Sequence, residues 1–252
     1  MDTLQVQRDA EWFGLTTITL NRPEKLNAIS RQMHDELQAV CADLQKDAET
    51  RVVIFTGAGR AFSAGADRAE RRTVDSDPLR MRLQSGTGNR TCAAIERLDQ
   101  VTIGAVNGLA VGGAVVFLSC MDLRIAAEDA WFSIPEIDLN IPLTWNALPR
   151  LMRELGPART KELVMTGERF SAQQAERWGF VNHIVPAATA VSAARTLAVK
   201  LLKKDPLSLS LTKTTCRALS EQMVPEQATQ ADREYLTLAH SLMRSAPKEP
   251  RT

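Results

Sequence analysis

Two short apolar runs, Val52-Val53-Ile54-Phe55 and Val101 to Val106, each stop at a glycine, Thr56-Gly57 in one case and Asn107-Gly108 in the other. Such a run reads as a strand buried on both faces, the pattern of a parallel sheet covered by helices. A third strand-type run, Leu15 to Leu20, interleaves Leu15, Ile18 and Leu20 with threonines and stops at Asn21-Arg22-Pro23. Between these runs Ser30 is placed to cap a helix on which Met33, Leu37, Val40, Cys41 and Leu44 recur at spacings of three and four. Strand–helix–strand order predicts an α/β body. The polar stretch between Ala69 and Gly88 reads as a loop or lid, followed by a helix to about Leu98. From Thr144 onward helical patterns dominate: Leu148 to Leu155, Ala158 to Met165, Ala172 to Trp178, Ala187 to Leu202, Leu207 to Leu219 and Pro225 to Met243. Gly156-Pro157 and Asp205-Pro206 punctuate them. The expected organisation is a core over residues 1–190 and a helical region over 191–252, with a fraying tail from Ser245.

A chain of 252 residues buries enough surface to need no covalent staples. Lys plus Arg is 31 and Asp plus Glu is 30, a net charge of +1 that argues against nucleic acid as the main partner. Cys41, Cys92, Cys120 and Cys216 form no CxxC pair, and His34, His183 and His240 are dispersed, so no metal-ligand spacing is present. A lone histidine of this kind reads as a surface or core residue. The first six residues lack a basic start and an apolar stretch, and the run from Leu109 to Cys120 is too short to cross a bilayer. The expectation is a reduced, cytoplasmic protein without a membrane segment or a metal.

Three segments combine small residues with strand ends or helix starts. Thr56 to Asp67 follows a strand-type run and contains Ala61-Phe62-Ser63-Ala64-Gly65-Ala66-Asp67; its glycine spacing is neither GxGxxG nor a P-loop. Its main-chain N–H groups are open to a ligand, although an ordinary strand-to-loop turn has the same composition. Asn107 to Leu118 carries Gly112-Gly113 where an apolar helix starts; the unpartnered N–H groups of a helix start suit an oxyanion, and close backbone packing explains the glycines equally well. In Phe132 to Leu139, Glu136 follows Pro135 among apolar residues, which suits a base with a raised pKa, or else an ion pair. Asp138 shares its side only if the segment is extended.

In this order, and with Asn21-Arg22-Pro23-Glu24-Lys25-Leu26-Asn27-Ala28 before them and Gly179 to Pro186 after them, these segments resemble the enoyl-CoA hydratase/isomerase family, the crotonase superfamily, over about residues 5 to 240. The resemblance implies a spiral of ββα units with a C-terminal helical region used for trimerisation, as a homotrimer or dimer of trimers. It implies an acyl-CoA substrate, with CoA as part of that substrate and no separate cofactor. Carried over, the N–H groups of Ala64 and Gly113 hold the thioester oxygen and Glu136 is the base. Lys25, Leu26 and Ala28, with Ala66 and Asp67, lie near the CoA adenine and phosphates. Gly65, Gly112, Val116 and Trp145 complete the expected substrate site. One departure decides the chemistry: Val116 stands where the family's two-glutamate hydratases carry a second glutamate. That favours single-base Δ3,Δ2-enoyl-CoA isomerisation. The alternatives are hydration or hydrolysis with an altered second acid, and non-catalytic acyl-CoA binding.

Overall fold

The computed structural model describes residues 1–70, 77–225 and 232–245. Along the chain the strands are β1 (Leu4–Arg8), β2 (Leu15–Leu20), β3 (Val52–Gly57), β4 (Ala61–Ser63), β5 (Val101–Val106), β6 (Leu109–Val111), β7 (Leu123–Ala127), β8 (Trp131–Ser133), β9 (Phe170–Ser171) and β10 (His183–Val185). The helices are α1 (Arg31–Leu44), α2 (Pro78–Ser85), α3 (Thr87–Glu96), α4 (Gly113–Ser119), α5 (Ala147–Thr166), α6 (Ala172–Arg177), α7 (Ala190–Leu202), α8 (Pro206–Met223) and α9 (Asp232–Ser245). The larger sheet has the order β1-β2-β3-β5-β7-β10, with only the β1–β2 pair antiparallel. The smaller sheet has the order β4-β6-β8-β9. The pairs β3–β4, β5–β6 and β7–β8 each step from the large sheet to the small one before the chain turns into helix, which is the expected spiral of ββα turns.

Alternation along the strands divides the core in two. Val53 and Phe55 face the main cluster with Met33, Leu37, Phe117 and Leu151, whereas Val52 and Ile54 face a second cluster with Ile103 and Ile125. Ala194 and Ala198 of α7 close that second cluster, so the first helix of the expected C-terminal region packs on the sheet. The helix α1 forms as its spacing predicts: Ser30 accepts the Met33 N–H at 3.1 Å, and Met33, Leu37, Val40, Cys41 and Leu44 are buried.

Two expectations change. The polar stretch after Ala69 contains a helix, α2, because Asp77 accepts the Leu79 N–H at 2.9 Å and Pro78 occupies the first turn, where its missing N–H costs nothing. The patterns on either side of Gly156-Pro157 run on as α5, kinked where Gly156 takes φ 73°. Residues 71–76 of the expected lid, 226–231 of the last helix and the tail beyond Ser245 lie outside the described residues. Among the described residues no helix is long and apolar enough to cross a membrane.

Candidate active site

Residues 22–29 and 58–67 form one wall. Asn27 sits at φ 55°, a backbone region that asparagine tolerates better than most residues. Its buried amide donates to the carbonyls of Ala58 and Ala61 at 2.9 and 2.8 Å and accepts the Arg22 N–H at 2.9 Å. The two segments then pair along the main chain. The Ala64 N–H donates to the Leu26 carbonyl at 2.8 Å, Ile29 to Gly65 at 2.8 Å, and Asp67 to Ile29 at 2.9 Å. This pairing corrects the assignment of Ala64. Its N–H is consumed inside the wall and cannot reach a thioester oxygen. Ala66, the residue bridged to Ile29, keeps an N–H with no hydrogen bond among the described residues, and it lines a cleft of about 330 Å³.

Gly112 and Gly113 form the facing side. Gly112 takes φ 55° and ψ −120°, which costs glycine little and an L side chain much. Its own N–H is bonded to the Ser133 carbonyl at 2.8 Å. Gly113 opens α4, so its N–H lacks an intrahelical partner, and it lines the same cleft. Glu136 enters from the end of β8 and stands over Gly112: a Cβ built on Gly112 would lie 2.6 Å from Oε1 of Glu136. Val116, one turn into α4 and fully buried, lines the cleft as well. Asp138 does not join them. Residues Ile137–Leu139 form a 3-10 turn that carries its carboxylate away from the cleft to Gly167, leaving it exposed.

The Trp145 ring lies against both Gly88 and Gly113, where any added Cβ would overlap it. It meets Phe117 at 5.5 Å and His34 at 4.9 Å between ring centroids. Trp145 and Asn146 both have left-handed backbones, φ 65° and 58°, and their carbonyls accept from Nη1 of the buried Arg150 at 3.2 and 2.9 Å. Arg150 in turn is bonded to Oε2 of Glu96 at 3.0 and 2.6 Å, and Asp232 accepts the Asn146 N–H at 2.6 Å. The strained pair is thus held from α5, α3 and α9 at once.

At the other end, Oδ2 of Asp67 is 2.9 Å from Arg22 and 3.9 Å from the exposed Lys25. Burial raises the pKa of Asp67, but the Arg22 hydrogen bond, the Ala69 N–H and the two cations outweigh it and hold the carboxyl below its ordinary value. The structure therefore brings Ala66, Asp67, Gly113, Val116, Glu136 and Trp145 to one cleft. Lys25, Leu26, Ala28, Gly65 and Gly112 stand behind or beside it: Lys25 at Asp67, Leu26 on Ala64, the Ala28 carbonyl on Arg22 at 2.6 Å, Gly65 on Val111 and Gly112 under Glu136. Two positions that shape the cleft escaped the sequence reading: His34, which lines it, and Arg150, which holds the backbone at Trp145. The signal for His34 was its place in the buried stripe 34, 37, 41 and 44 of α1. Among the described residues no group of three or more His, Cys, Asp or Glu side chains is arranged to hold a metal ion.

Comparison with known proteins agrees with this layout. A family model described as enoyl-CoA hydratase/isomerase matches residues 12–246. A carnitinyl-CoA dehydratase of Escherichia coli is 38% identical over 218 residues, 84% of this chain and 80% of its own. The crystal structure of an enoyl-CoA hydratase from Bacillus anthracis superposes with a TM-score of 0.80 at 33% identity, covering 97% of this chain and 92% of that one. A monofunctional enoyl-CoA isomerase from M. smegmatis superposes with a TM-score of 0.73 at 29% identity, covering 88% and 95%.

Proposed function

Because the chain belongs to the enoyl-CoA hydratase/isomerase family, whose members act on CoA thioesters, we propose that it moves the double bond of a 3-enoyl thioester to the 2-position with Glu136 as its single base. In this reading Glu136 takes a proton from C2, leaving a dienolate whose charge rests on the thioester oxygen. The N–H groups of Ala66 and Gly113 receive that charge. Each such donor contributes about 3–4 kcal/mol to the transition state. Collapse of the enolate forms the C2–C3 double bond, and Glu136 returns its proton to C4. No water and no cofactor takes part, and CoA enters only as the carrier of the acyl group, with Lys25 at the rim placed for its phosphates.

One observation carries the reading: Val116 occupies the cleft wall where hydration needs a second carboxylate. The other acids of the cleft are engaged or outlying. Asp67 is paired with Arg22, Glu70 accepts the Arg31 N–H at 2.8 Å, and Asp35 is exposed on α1. The second reading, addition or removal of water, is favoured by the names of the dehydratase and hydratase relatives. Purified protein offered a 3-enoyl-CoA and a 2-enoyl-CoA separates the two. Conversion of the first without water addition, abolished in Glu136→Gln with thioester binding retained, supports isomerisation. Hydration of the second at an ordinary enzymatic rate overturns it. Thioester binding with neither reaction would make the protein a carrier. The same proposal includes association as three or six copies, supported by Leu207, Leu211, Leu219 and Met223 exposed along α8; a monomeric mass in sedimentation would refute it.

A further inference from the structure

We propose that His34 makes the acyl pocket selective for a thioester whose chain carries a neutral hydrogen-bond donor, a hydroxyl group, received by the imidazole Nε2. The inference rests on the reading above only in placing the acyl chain in this cleft. His34 is 6% exposed, yet it lines the cleft. Its ring abuts Trp145, whose own ring covers Gly113. The imidazole therefore stands one aromatic ring away from the candidate oxyanion donors, where the body of an acyl chain would lie.

The hydrogen-bond network assigns the proton. The single hydroxyl proton of Thr91 goes to the Thr87 carbonyl at 3.2 Å, an atom that can only accept. Thr91 Oγ1 receives Nε2 of Gln38 at 3.0 Å, and that same amide nitrogen also donates to the His34 carbonyl at 3.2 Å. We therefore assign the ring as the donor in the 2.9 Å contact between Nδ1 of His34 and Thr91 Oγ1. With Nδ1 protonated and turned to α3, Nε2 carries the lone pair on the opposite edge of the ring. It makes no hydrogen bond among the described residues. It is not among the buried unpartnered atoms, so it opens to the cleft that His34 lines, where an acyl chain that displaces water must supply a donor and an alkyl chain supplies none.

The ring is an acceptor and not a base. Burial, reinforced by the Arg90 cation, pushes its pKa down to about 3, so it is neutral and weakly basic at ordinary pH. Its surroundings agree: Gln84, Ser85 and Thr87 line the same cleft as Ile141 and Leu143. The lining mixes polar and apolar side chains, as suits a chain that is hydroxylated at one carbon.

Calorimetric binding of saturated thioesters, which cannot be isomerised, tests this independently of turnover. The probes are hexanoyl-CoA and its 4-, 5- and 6-hydroxy derivatives. At least one hydroxy isomer should bind about tenfold more tightly than hexanoyl-CoA. His34→Leu should erase that preference while still binding hexanoyl-CoA. Thr91→Val keeps the shape but frees the ring proton, and should reduce the preference to about threefold. Equal binding of hexanoyl-CoA and every hydroxy isomer overturns the proposal, as does a preference that survives His34→Leu. Should His34→Leu fail to fold, the wild-type series and Thr91→Val decide. A hydroxy preference without conversion of any 3-enoyl-CoA refutes the isomerase reading and leaves this one standing; no thioester binding at all refutes both.

Discussion

Gly112→Ala separates the base from the fold. A Cβ at this position would lie 2.6 Å from Oε1 of Glu136, where ordinary contact begins near 3.4 Å. The atom that must yield is the end of a flexible side chain, so the clash relaxes cheaply by moving Oε1 about 0.8 Å, the difference between those distances. A base displaced by about 1 Å typically loses about 100-fold in rate. The stability cost has a different origin, the positive φ of 55°, and amounts to about 1–3 kcal/mol. In a chain of this size that lowers Tm by about 2–12 °C. The N–H groups proposed as oxyanion donors are untouched, because Gly113 and Ala66 keep their backbones. Steady-state kinetics on a 3-enoyl-CoA should show kcat falling about 100-fold while a saturated acyl-CoA binds within about threefold of wild type. A variant that folds and keeps kcat within about threefold refutes the placement of Glu136 as the base.

Other perturbations have equally definite outcomes. Arg150→Met removes a donor from the carbonyls of Trp145 and Asn146 and leaves Glu96 with Arg153 at 3.4 Å; it should cost about 3–5 kcal/mol and shift Tm by about 6–20 °C, and a drop under about 3 °C in a thermal melt counts against the clamp. Val116→Glu restores a second carboxylate to the cleft and should confer hydration of a 2-enoyl-CoA, detected by mass; a folded variant with no gain means that more than this side chain is missing. His34 has a folded pKa of about 3 against 6.5 for the free group. The unfolded chain therefore binds the extra proton between those values, and stability is lost as pH falls below 6.5, by about 2 kcal/mol on going from pH 7.5 to pH 5. His34→Leu should remove that part of the pH dependence of Tm, and an unchanged slope would show that folding does not lower the pKa of the ring.

Much of this was readable from the residues because it depends on local pattern. The apolar spacing from Met33 to Leu44 behind Ser30 needs no tertiary information to make a helix, and the glycines after Phe55 and Val106 stop their strands by local chemistry. That Glu136 and Val116 line one cleft was legible for a similar reason: each is a side chain in a recognisable segment. The errors arose where direction depends on a distant partner. Ala64 and Ala66 differ by two residues and have the same side chain, and only the pairing with residues 26–29 decides which N–H is left over. Asp138 was undecided until a 3-10 turn set its side. The left-handed pair Trp145-Asn146 carries no glycine to announce it, and its stability comes from Arg150 and Asp232, far along the chain. His34 looked solitary because Thr91, which orients it, is 57 positions away.

The pairing that frees the Ala66 amide, with the helix start that frees that of Gly113, makes both amides invisible to ordinary genetics. A scan that trims side chains to alanine leaves Ala66 as it is and touches Gly113 only by pushing Trp145 aside. Replacing a single amide by an ester through chemical ligation would delete the N–H while leaving every side chain in place. By the same logic, diversification within this scaffold falls on what surrounds the amides, at Val116, Trp145 and His34, since the amides persist for as long as the chain threads the same way.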